Sequence, residues 1–109
     1  MRAEINRNVT REQVIQALNT ARDQSHALCE MGVSILYVAA VRLVNGVPVP
    51  EIEVDMPQDL TLVDAAPVYY IRFPERLHIV EGFAAMWRGV LLKWTRCTPR
   101  RLYRRCCHG

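Results

Sequence analysis

Residues 11–31 repeat one pattern. Val14, Leu18, Ala21, Ser25 and Leu28 recur at intervals of four, three, four and three. That spacing gathers them into one stripe along an α-helix. Glu12, Gln16, Asn19, Asp23, His26 and Glu30 fall on the other side. Thr10 is placed to cap the helix, with Gln13 three residues on as its reciprocal partner. Gly32 stands where a left-handed residue ends a helix at low cost.

The period then changes. Residues 33–44 are rich in Val, Ile, Leu and Tyr, with Arg42 the one charged side chain. A short β-branched run of this kind predicts a covered strand. Asn45-Gly46 follows between valines, and both residues tolerate positive φ, so a two-residue hairpin is expected. The return strand opens Val47-Pro48-Val49-Pro50. Neither proline can donate to a ladder, so this strand is expected at a sheet edge. Past Pro50, Ile52, Val54 and Met56 oppose Glu51, Glu53 and Asp55, and the change of parity predicts a bulge or bend there. Residues 60–63 read as a short strand, 64–67 as a turn and 68–73 as a further strand, which Pro74 ends.

For residues 75–95 two patterns compete. Val80, Phe83, Trp87, Val90 and Trp94 are spaced as a helical stripe, with Gly82, Ala85 and Gly89 as a small-residue stripe on another side. The rival is a hairpin that turns at Arg88-Gly89. The helix is the favoured reading, although two interior glycines cost it ~1 kcal/mol each. The expected order is therefore α-β-β-β-α. It makes a small α+β two-layer sandwich, an antiparallel sheet of about three strands with two helices on one face. A single domain is expected over residues 1–96, followed by a basic, mobile tail over 97–109.

Charge changes the picture at the C-terminus. Residues 88–109 hold seven of the fourteen basic residues and none of the eleven acidic ones. Arg88, Lys93, Arg96, Arg100, Arg101, Arg104 and Arg105 are thus candidate contacts for nucleic acid or another polyanion, with Trp94 and Tyr103 between them. Arginine suits phosphate because its planar fork bonds two oxygens at once. The acidic middle, together with the expected edge strand, makes Glu51, Ile52, Glu53, Val54 and Asp55 candidate partner-binding residues. Self-association through that edge is a further expectation.

The remaining composition mostly excludes. At 109 residues there is room for one core but not for separate cofactor and substrate domains. Residues 77–95 contain Glu81, Arg88 and Lys93, which argues against a membrane span. The first residues show no apolar leader, so Cys29, Cys97, Cys106 and Cys107 are expected as reduced thiols in the cytoplasm. With His26, His78 and His108 they fit no closed zinc pattern. Glycine-rich phosphate loops and nucleophile elbows are lacking. A non-enzymatic regulatory or interaction protein without cofactor is expected, an inhibitor or adaptor that binds an unidentified protein. Nucleic-acid binding through the basic tail is the alternative, and a membrane-surface or zinc-binding role is less favoured.

Overall fold

Two tight turns, Asn45-Gly46 and Arg88-Gly89, organise the fold, which a computed structural model describes over residues 9–73 and 78–99. All four turn residues have positive φ (53° and 80°, then 50° and 83°), the conformation a two-residue hairpin with right-handed strand twist requires. The elements are helix α1 (Arg11–Glu30) and strands β1 (Ser34–Val44), β2 (Val47–Asp55), β3 (Pro67–Phe73), β4 (His78–Trp87) and β5 (Val90–Pro99). The strands form one sheet in the order β1-β2-β5-β4-β3. All neighbours run antiparallel except β2 and β5, which are parallel over Glu51–Leu91, Ile52–Leu92 and Glu53–Lys93.

This corrects the expected three-stranded sandwich with two helices. Among the described residues there is one helix, and most of 75–95 is a hairpin. The reason is a second periodicity that the helical stripe hides. Phe83, Ala85 and Trp87 alternate into the turn, and Val90, Leu92 and Trp94 alternate out of it, paired Phe83–Trp94, Ala85–Leu92 and Trp87–Val90. Leu92, which the helical stripe omits, is fully buried, as is Val90. The Phe83 and Trp94 rings stack with centroids 5.3 Å apart and planes 4° from parallel.

β2 was expected at a sheet edge, yet it lies between β1 and β5. The prolines explain how both are satisfied. β5 begins to pair only at Glu51, so Val47, Pro48, Val49 and Pro50 have β1 on one side and no strand on the other among the described residues. The expected bulge is also found at Pro50, but the additional residue belongs to β1, where Ala39 pairs with Glu51 and Arg42 with Val49.

α1 is built as its sequence predicts at both ends. The Thr10 N–H donates to Gln13 Oε1 at 2.9 Å, the Gln13 N–H donates to Thr10 Oγ1 at 3.1 Å, and Gly32 takes φ 80°. Its buried stripe is shifted, however. Ala17, Ala21 and Leu28 are buried, while Leu18 is 43% exposed. The two alanines let the helix lie close to the sheet. A Cβ added to Gly89 would come within 3.4 Å of the Thr20 γ-methyl. The core joins Leu28 and Val33 to Ile52, Val54 and Met56 of β2 and its end, and to Trp87, Val90, Leu92 and Trp94 of the second hairpin. Leu60, Leu62, Val63 and Ala65 of the connection between β2 and β3 pack on the same core. That connection covers part of the face assigned in advance to a second helix. Arg96 ties it down, donating to the Pro57 carbonyl at 3.4 Å.

The hairpin and the helix make opposite demands on residue 89. In a helix Gly89→Ala adds ~1 kcal/mol of stability, whereas at φ 83° it costs ~1 kcal/mol. Urea denaturation of Gly89→Ala is expected to show the loss.

Candidate protein-binding edge

Among the described elements β3 is an outermost strand and contacts β4 alone. No helix lies over it among the described residues. All of its residues except Pro67 are exposed, including Val68, Tyr69, Tyr70, Ile71 and Phe73. Edge strands are normally protected by charges, prolines or bulges, because their free N–H and C=O groups invite another strand. β1, the opposite edge, is interrupted twice by register shifts. β3 has one shift, between Pro67 and Tyr69, and then pairs regularly with β4 from Tyr69–Gly82 to Phe73–His78. Its single charge is Arg72.

The hydrogen-bonding direction of this edge follows from the Arg88-Gly89 turn. In a two-residue hairpin the flanking pair, here Trp87–Val90, exchanges both backbone bonds. The β4–β5 register runs unbroken from there to His78–Pro99. Odd-numbered residues of β4 therefore face β5, and Gly82, Val80 and His78 face β3. Tyr69, Ile71 and Phe73 receive those bonds. Tyr70 and Arg72 consequently turn their N–H and C=O groups outward.

Among the described residues, one face of the sheet lacks the cover that α1 and residues 56–66 give the other. Tyr69, Ile71 and Phe73 stand on it. Tyr69 lies across Gly82, and a Cβ at Gly82 would collide with its ring. The glycine thus makes room for an aromatic side chain that covers bare backbone. Nearer the sheet centre, Glu51 is 3% exposed on the same face. Its carboxylate receives the Tyr37 hydroxyl at 3.0 Å and pairs with Lys93 Nζ at 3.2 Å. The bond to Glu51, and then its negative charge, hold the Tyr37 phenol above its ordinary pKa of 10.0.

The residues singled out from sequence are dispersed. Ile52 and Val54 are core residues facing α1, with 0% and 1% exposure. Glu51 is committed to Tyr37 and Lys93. Glu53 is half-buried and Asp55 exposed, at the end of β2. Of the seven cationic candidates, Lys93 holds Glu51, Arg96 holds Pro57, and Arg88 lies 4.7 Å from the centre of the Trp87 ring. Arg100, Arg101, Arg104 and Arg105 lie outside the described residues, as do Cys106, Cys107 and His108. β5 runs three residues into the segment expected as a tail.

Two clefts accompany the sheet. One, of about 380 Å³, lies where β2 lacks β5 beside it, lined by Gln13, Thr20, Pro48, Pro50 and Gly89 among others. The other, of about 300 Å³, is lined by Phe73, His78, Val80 and Cys97. Cys29 is exposed on α1, and His26 lies 3.4 Å from Glu30. Among the described residues no three His, Cys, Asp or Glu side chains converge as a metal site. No described helix is long and apolar enough to cross a membrane. Compared with protein-family models, with curated proteins and with solved structures, the chain matches none of them.

Sequence reasoning recognised 68–73 as a strand but not as an exposed sheet edge. Its content, one charge in six residues with apolar or aromatic side chains at both parities, reads as a strand covered on both faces, so nothing within the segment signalled its exposure. A strand covered on one face only would alternate.

Two outcomes test the Glu51 cluster. Lys93→Met is expected to cost about 2 kcal/mol, because it removes a cation 3.2 Å from a buried carboxylate, while Lys93→Met combined with Glu51→Leu recovers most of that loss in urea melts. The raised Tyr37 pKa means that the folded state holds the phenolic proton more tightly than the unfolded state. This contribution is complete below pH 10.0 and is lost as pH rises through the raised value. Glu51→Gln is expected to bring Tyr37 titration down toward 10.0 when followed by ring-carbon NMR.

Proposed function

We propose that this protein is a non-enzymatic interaction protein that acts by accepting an extended partner segment along the outer edge of β3. The observation that carries the reading is the exposure of β3 on both faces, with Tyr70 and Arg72 turning their backbone groups outward. Strand addition supplies affinity through main-chain bonds and specificity through alternate side chains. Tyr69, Ile71 and Phe73 offer such contacts on the open face, and Tyr70 offers one on the other. Aromatic side chains with a flanking arginine are the residue types that dominate protein interfaces.

A photoreactive phenylalanine analogue placed at Tyr70 tests this reading in native cell extract. Light is expected to yield a discrete protein adduct from that position and none from Leu36, which is equally exposed on β1. Tyr70→Pro beside a probe at Arg72 is expected to abolish the adduct while the sheet remains folded, because the lost N–H faces away from β4. Equal labelling from Tyr70 and Leu36 refutes the reading.

A further inference from the structure

Resting on that reading, we infer that the β3 edge takes a second copy of this chain, paired antiparallel about a two-fold axis through Ile71. The regular part of the β3–β4 ladder is five residues long, Tyr69 to Phe73, and Ile71 is its centre. An antiparallel self-pairing about Ile71 engages all five. Tyr70 and Arg72 are the two residues of that stretch that present outward backbone groups. In this register Tyr70 of each copy sits opposite Arg72 of the other, so every outward N–H and C=O of the stretch finds a partner. A register centred on Tyr70 instead draws in Val68, which occupies the shift between Pro67 and Tyr69.

Side-chain chemistry selects the same register. It pairs Tyr69 with Phe73 on the open face, an aromatic cross-strand contact made twice. It sets Ile71 against Ile71 at a non-hydrogen-bonded position, where side chains approach most closely. On the other face it places each guanidinium beside the Tyr70 ring of the opposite copy, an arrangement that attracts a cation to a π-face. The one charge of the strand therefore meets an aromatic side chain rather than its own copy directly opposite.

The surface is that of a small interface. Tyr69, Tyr70 and Phe73 are 41%, 60% and 41% exposed. At ~200 Å² per aromatic side chain they leave about 280 Å² of ring surface in each copy. With Ile71 added, two copies offer roughly 700 Å², which puts the contact at the weak, reversible end of specific interfaces, where the main-chain bonds of strand pairing contribute a large share. Among the described strands β3 is the one unbroken edge of this kind, so the two-fold contact closes on itself and yields a dimer with a continuous ten-stranded sheet.

Charge reversal at Tyr70 reads the register directly. Sedimentation equilibrium of the full chain is expected to show a dimer. Tyr70→Glu, which faces Arg72 of the other copy, is expected to keep it. Tyr70→Arg places like charges opposite each other twice and is expected to raise the dimer Kd about tenfold or more. Adding Arg72→Glu to Tyr70→Arg restores opposite charges and is expected to restore the dimer. Far-UV circular dichroism verifies that each variant remains folded. A wild-type monomer at ~100 μM overturns the inference, as does association without limit. Folded Tyr70→Glu and Tyr70→Arg variants that are equally monomeric overturn it as well. If the Tyr70 photoadduct forms with a different protein while the purified chain is monomeric, the strand-addition reading stands and the second copy is excluded. If the purified chain is monomeric and no selective adduct forms, both fail.

Discussion

Three residue pairs join this molecule into one body. The parallel register of Glu51, Ile52 and Glu53 with Leu91, Leu92 and Lys93 links a two-stranded hairpin to a three-stranded meander. A two-stranded ribbon alone is at best marginally stable in water. On one face of the join Ile52 meets Leu92, both fully buried, and on the other Glu51 meets Lys93. Apolar burial and ion pairing therefore act at the same place from opposite sides. α1 reinforces the join, since it packs on β1 and β2 and reaches β5. Pro48 and Pro50 limit it, because the prolyl half of β2 has no N–H to offer in the direction of β5.

This join also explains the open edge. β5 lies beside β2, β4 beside β5, and β3 can then occupy only the outside of the sheet. Among the described residues the cover ends before that point: α1 spans the first hairpin, and the 56–66 connection packs on the middle of the sheet. The aromatic character of β3 is thus not paired with any covering layer in the described chain. Strand addition offers its backbone groups the partner that water would otherwise supply.

Local features were legible in the sequence wherever a backbone demand singles out a residue type. The Thr10–Gln13 cap, the Gly32 helix stop and the Asn45-Gly46 turn all follow from such demands. The stretch 75–95 was misread because its large residues satisfy two periods at once. Val80, Phe83, Trp87, Val90 and Trp94 fit a helical stripe, and the strand pattern emerges only when Ala85 and Leu92 are included. Leu18 was assigned to the wrong side of α1 for a related reason: small residues, Ala17 and Ala21, were needed facing the sheet. The position of β2 was not readable locally at all, since its neighbour β5 lies some 40 residues away in sequence. The same non-local pairing converted Ile52 and Val54 from an expected surface into core. It also converted Lys93 and Arg96 from a cationic cluster into structural ties on opposite faces of one strand. Exposure of β3 depends on strand order, which no pattern within 68–73 encodes.

Both tryptophans of the chain, Trp87 and Trp94, sit on the β4–β5 hairpin, each less than a tenth exposed. The helix and the first hairpin contain none. Emission from the indoles therefore reports on the β4–β5 side and on its contact with the shared core, whereas far-UV dichroism registers the helix on the other side. A denaturation curve that differs between the two signals would mark the join parting before either half melts, and coincident curves would mark a sheet that comes apart as a whole.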